Sequence, residues 1–169
     1  MKKLIALVAA VATVLPMPAL AGSWKDISEL SRLVRATGTE IVSKECSQSI
    51  FGSYHYDDKR NIDRLTICTN RVDMEDPDAV WETLAHEATH VAQACIGDNV
   101  YRDTYLPRVF RALRAEAPHY VRLLDNSYDN TDRIVEAEAF YMELQEPDKV
   151  KRMMVEVCKI SEADYDAVS

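Results

Sequence analysis

Basic residues are in deficit in this chain. Against 28 aspartates and glutamates stand 20 lysines and arginines, a formal charge of −8. Phosphate binding is driven by lysine and arginine, so the balance argues against nucleic acid or an anionic membrane surface as partner. Long apolar runs are missing as well: after residue 21 no stretch reaches the length of a membrane span, which speaks against an integral membrane protein. The four cysteines contain no C-x-x-C pair, so a thiolate metal site is not indicated. Repeats, low-complexity tracts and linkers are absent too, and a single domain is expected.

What is present begins with a leader. Lys2 and Lys3 precede an apolar core from Leu4 to Leu15, and Ala19-Leu20-Ala21 forms an A-x-A box before Gly22. This pattern predicts a signal peptide over residues 1–21, cleaved after Ala21, and a secreted or periplasmic protein of residues 22–169. Loss of the two lysines would take the formal charge from −8 to −10. In an oxidising compartment an even number of cysteines reads as disulfides. Cys46 and Cys68 flank an expected hairpin, Cys95 ends a long helix and Cys158 lies in the last one. Of three connectivities, this placement favours 46–68 with 95–158.

Periodicity divides the rest. Trp24, Ile27, Leu30, Leu33 and Val34 make a helical stripe over Ser23–Ala36, stopped by Gly38. Ile41-Val42, Ile50-Phe51, Tyr54 with Tyr56, and Leu65 to Cys68 read as short strands, with a turn at Asp57–Asn61, and predict a small antiparallel sheet. Asp76-Pro77-Asp78 opens a helix with an N-cap acid, a proline at N1 and a second acid near the positive dipole end. Gly97 closes it. Further helices are expected over Leu106–Ala115, Pro118–Leu124, Thr131–Leu144 and Asp148–Lys159, with a short one after Ser161. The fold class is α+β and mostly helical.

The long helix carries His86-Glu87-Ala88-Thr89-His90. Side chains at i and i+4 stack on one helical face, so two imidazoles can point at a single metal. Glu87 sits one step round, placed to take a proton from a bound water. From Thr83 to Ala92 the flanks carry no other charge and no proline, as suits a buried metal helix. The stretch resembles the active-site helix of the zincin metallopeptidases, where a small sheet also precedes H-E-x-x-H and helices follow. The resemblance implies Zn²⁺ as cofactor, a peptide or protein substrate, and a strand over Arg64–Thr69 forming the edge along which that substrate pairs.

A catalytic zinc needs a third protein ligand. Gln93 and Ile96 stand where the metzincin subclass has glycine and histidine, so the resemblance is to the glutamate-ligated type. There the ligand opens an E-x-x-A-D or E-x-x-A-N run, which Glu136 and Ala139 match until Phe140. Helical geometry offers Glu138 instead: it falls inside the apolar arc of its helix, whereas Glu136 faces away with Asp132 and Glu143. Glu136 and Glu138 both stand as candidates. Tyr120, Tyr128 and Tyr141 could each supply a phenol to an oxyanion, His119 is a lesser candidate ligand or donor, and His55 reads as surface. The expected activity is zinc-dependent peptide hydrolysis with Glu87 as general base. Its alternatives are a cell-wall amidase or endopeptidase on the same metal, and a disulfide-stabilised binding protein of this fold without turnover.

Overall fold

The computed structural model describes residues 22–47 and 49–168, so the expected signal peptide lies outside the described residues. Its organising element is the long helix, Pro77–Ile96. Asp76 caps it by accepting from the Asp78 N–H at 3.0 Å, and Gly97 ends it in the left-handed conformation at φ 66°. Only glycine takes that backbone without cost. Trp81, Leu84, Ala85, Ala88, Val91 and Ala92 are buried along its length, and its neighbours occupy several sides. This is why its apolar residues show no single stripe.

In chain order the elements are α1 (Trp24–Ala36), β1 (Glu40–Lys44), β2 (Gly52–Asp57), β3 (Ile62–Cys68), α2 (Pro77–Ile96), α3 (Leu106–Glu116), α4 (Pro118–Ser127), α5 (Asn130–Glu143), α6 (Pro147–Cys158) and α7 (Glu162–Ala167). Helices α1, α5 and α6 and strands β2 and β3 all pack on α2. Ser23 starts α1 with a reciprocal capping box to Asp26, and Ser161 starts α7 in the same way with Asp164. Lys151 of α6 reaches Asp26 and Glu29 of α1 at 2.8 and 2.7 Å, tying the two helices that flank α2. Leu30, Leu65, Leu84, Leu113 and Met154 are fully buried in the shared core. Each such side chain contributes about 1.5–3 kcal/mol by leaving water.

The sheet corrects two expectations. It is mixed, not antiparallel: its order is β1-β3-β2, with β1 parallel to β3 and β2 antiparallel to it. Apolarity explains the order. Leu65, Thr66, Ile67 and Cys68 are all buried, so β3 takes the middle, where both sides are covered. Arg64–Thr69 is therefore an interior segment, and the edge strand beside α2 is β2. Ile50 and Phe51 precede β2 without joining it, and Phe51 is 64 % exposed. The turn is as expected: a short 3₁₀ turn at Asp58–Arg60, capped by Asp57, ends with Asn61 in the left-handed region at φ 52°.

Both favoured disulfides are present, Cys46–Cys68 and Cys95–Cys158, with sequence separations of 22 and 63. The second ties the end of α2 to the end of α6 and closes a long loop. Removing it by Cys95→Ala with Cys158→Ala should destabilise the fold by about 2–5 kcal/mol, chiefly by freeing the unfolded chain. Urea unfolding measures this; an unchanged midpoint would show that the bridge adds nothing.

Candidate metal centre

Helix α5 crosses α2 so that Glu136 meets the two histidines. His86 Nε2 lies 3.3 Å from His90 Nε2 and 3.3 Å from Glu136 Oε2, and His90 Nε2 lies 3.7 Å from Glu136 Oε1. Among the described residues these three side chains offer ligand atoms within 4.8 Å of one another, a group able to hold a metal ion. The spacing is informative. Bonds of 2.0–2.1 Å at tetrahedral angles separate two ligand atoms by about 3.3 Å, longer than an ordinary N–H···O hydrogen bond. The donor set, two imidazole nitrogens and a carboxylate, suits a borderline divalent cation such as zinc. The residues present fit such an ion.

Each imidazole is held from behind. His86 Nδ1 donates to Glu143 Oε2 at 2.9 Å, and His90 Nδ1 donates to Gln93 Oε1 at 2.8 Å. Such contacts orient the ring and leave Nε2 to face the ligand. Neither partner is evident from the motif, although both obey helical spacing. Gln93 follows His90 by three residues, and Glu143 follows Glu136 by seven, two turns along one face. The sequence groups Glu136 with Glu143 correctly but assigns their face away from the apolar arc; that face is turned to α2. Phe140, where this chain departs from the E-x-x-A-D or E-x-x-A-N run, packs edge-on against the His86 ring at 4.7 Å and is itself stacked by Tyr120 at 4.3 Å.

Glu138 is fully buried for a different reason. Its carboxylate accepts the N–H groups of Val100 and Tyr101, both at 2.8 Å, and the Gln93 amide at 3.0 Å. It anchors the loop after α2 and does not join the histidines. Burial of an acid inside an apolar arc signalled a partner, and that partner is backbone.

Glu87 is 6 % exposed and borders the same cleft, a space of about 430 Å³ lined also by Ser53, Tyr54 and Val135. Burial, reinforced by the charges of Glu136 and Glu143 and opposed by His86, raises its carboxyl to about 7. The Tyr54 N–H donates to it. Gly52 lies against the same side chain: a Cβ there would meet Glu87 Oε1 at 2.8 Å and Thr83 Cγ2 at 2.9 Å. Only glycine lets β2 approach this closely, a requirement with no local signal in the sequence.

Charge in the cleft is arranged around a cation. Burial works to discharge His86, but hydrogen bonds to Glu136 and Glu143 outweigh it and lift the imidazole to about 10. His90 is pushed down by burial and by the charge of His86, and Glu136 is held low against burial by its contact with His86. Without an ion, one proton on His86 supplies the positive charge.

The remaining candidates are dispersed. Burial, then the charges of Glu136, Glu87 and Asp132, raise the Tyr128 phenol, which therefore stands in the field of both cleft carboxylates. Tyr120 donates to Glu82 at 3.0 Å behind His86, and Tyr141 accepts from Lys149 at 3.1 Å, turned from the cleft. His119 is exposed against Tyr120, with ring centroids 4.0 Å apart, and His55 is exposed on β2.

A metal entering this centre must displace the His86 proton. At pH 7.5, well below about 10, binding should release about one proton per ion, so affinity should rise with pH. The sign for stability follows from the same shift. The proton stabilises the metal-free fold fully below the unfolded imidazole's 6.5, and that contribution is lost as pH rises through about 10. Calorimetry in two buffers of different ionisation enthalpy measures the release; identical heats would show that His86 is already neutral.

Compared with protein-family models, curated protein sequences and solved structures, the chain matches none.

Proposed function

We propose that this chain is an exported zinc-dependent hydrolase of the glutamate-ligated zincin type, acting on peptide bonds. The single observation that carries the reading is the convergence of His86, His90 and Glu136, with nitrogen and oxygen atoms 3.3–3.7 Å apart and buried Glu87 beside them. The two disulfides support export, since such bridges persist in oxidising compartments.

A bound zinc would polarise the scissile carbonyl and acidify a water. The protein's own groups do the rest. Glu87, near neutrality between its two protonation states, takes the water proton and delivers it to the leaving amine. Its surroundings keep bulk water away: Gly52 and Thr83 close one side.

The edge of β2 supports a peptide as substrate. Cys68 N–H donates to Phe51 C=O at 2.8 Å, which fixes the parity of the antiparallel ladder. Residues 53, 55 and 57 bond to β3, whereas Gly52, Tyr54 and Tyr56 turn their backbone groups to the free edge. Tyr54 spends its N–H on Glu87, and the rest of that edge is available to an extended chain.

Glu87→Gln separates binding from turnover. The amide is nearly isosteric, so metal content should stay at the wild-type level while peptide hydrolysis falls by about 10²–10⁴. Wild type stripped with chelator and reloaded with zinc should regain activity. Equal turnover in wild type and variant would remove Glu87 from the mechanism. No turnover of peptides or cell-wall fragments by any sample would favour a binding protein.

A further inference from the structure

Gln93 and Glu138 sit outside the metal-ligand triangle, yet their hydrogen bonds leave only one arrangement of protons at His90. Glu138 is fully buried and accepts from three N–H donors: Val100 and Gln93 at Oε2, Tyr101 at Oε1. Gln93 Nε2 also donates to the Val135 carbonyl at 3.0 Å. Both hydrogens of the amide nitrogen are thus directed at oxygens that can only accept. The amide cannot turn over without setting its own oxygen against the Val135 carbonyl and the Glu138 carboxylate. Its Oε1 is therefore locked toward His90 Nδ1, 2.8 Å away.

An amide oxygen accepts and never donates, so His90 Nδ1 must carry the hydrogen. In a neutral imidazole that leaves Nε2 bare. Nε2 is the atom that faces His86 and Glu136. We propose that Gln93 is a positioning residue for the metal centre: held over by Glu138 and the Val135 carbonyl together, its amide imposes the His90 tautomer that can bind a metal. His86 needs no such device, because its partner Glu143 is a carboxylate and accepts in either orientation. The device also couples the centre to the backbone at Val100 and Tyr101, which holds the Glu138 carboxylate in place.

Gln93→Leu tests this. It removes the acceptor at Nδ1 and leaves His90 free to carry its hydrogen on Nε2. Long-range ¹H–¹⁵N correlation on metal-free protein at pH 8 should show wild-type His90 protonated on Nδ1 and the variant shifted toward Nε2. Zinc affinity of the variant should fall by about 10- to 100-fold, as for other losses behind a metal-bound histidine. The exchanged pair, Gln93→Glu with Glu138→Gln, returns an acceptor to Nδ1 and should restore both the tautomer and most of the affinity. Gln93→Glu alone keeps that acceptor and should retain the Nδ1 hydrogen even if Gln93→Leu fails to fold.

Wild-type His90 protonated on Nε2 would overturn the inference. So would an unshifted tautomer in folded Gln93→Leu, or loss of the Nδ1 hydrogen in folded Gln93→Glu. Affinity lost in Gln93→Leu without rescue by the exchanged pair would assign Gln93 to packing alone. The affinity readout rests on the zinc-site reading, whereas the tautomer is read without metal. A chain that binds no zinc would therefore fail that reading and leave the tautomer result to stand separately.

Discussion

Helices α2 and α5 cross with a cluster of ionisable groups between them, and this buried charge is the constraint on which the rest depends. Glu87 and Glu143 are nearly inaccessible, and Glu136 and the two histidines are largely covered. Unpaired carboxylates in such a place cost several kcal/mol each, so they persist only around a cation. The helix contact holds the carboxylates at a spacing where one positive charge answers more than one of them. His86, lifted to about 10, carries that charge as a proton in the metal-free protein. A divalent ion at the same place would satisfy the cluster more fully.

The fold serves this contact by making α2 immovable. Its N-terminus is capped by Asp76, its middle is buried against α1, α5, α6 and the sheet, and its C-terminus is tied to α6 through Cys95–Cys158. Stability and site geometry come from the same packing. Near the chemistry the backbone itself takes part: Gly52 brings β2 onto Glu87, and Tyr54 gives it an N–H. Moving β2 outward by the width of a methyl group would loosen the base.

Much of this was legible because it is local. Asp76-Pro77 and Gly97 mark the bounds of α2 through capping chemistry, and helical spacing places His86, Glu87 and His90 together. The placement of Cys46 and Cys68 around a hairpin, and of Cys95 and Cys158 at helix ends, gave their pairing. What failed was long-range. Strand order depends on which strand buries both faces, so the parallel pairing of β1 with β3 and the edge position of β2 did not follow from alternation. The choice between Glu136 and Glu138 turned on where the loop at Val100–Tyr101 passes, because its N–H groups make burial of Glu138 affordable without a metal. Glu143 was visible as a neighbour of Glu136 on one helical face, but its role needed the crossing of α2.

X-ray absorption at the zinc edge, on protein loaded with one equivalent of zinc, tests the central claim most directly. The account predicts imidazole scattering from two histidines at about 2.0–2.1 Å and carboxylate oxygen at about 2.0–2.2 Å, in a shell of four or five light atoms. The histidine signature should vanish in a variant lacking both His86 and His90. A six-coordinate oxygen shell, or an imidazole signature that survives the loss of both histidines, would place the ion elsewhere and contradict the account.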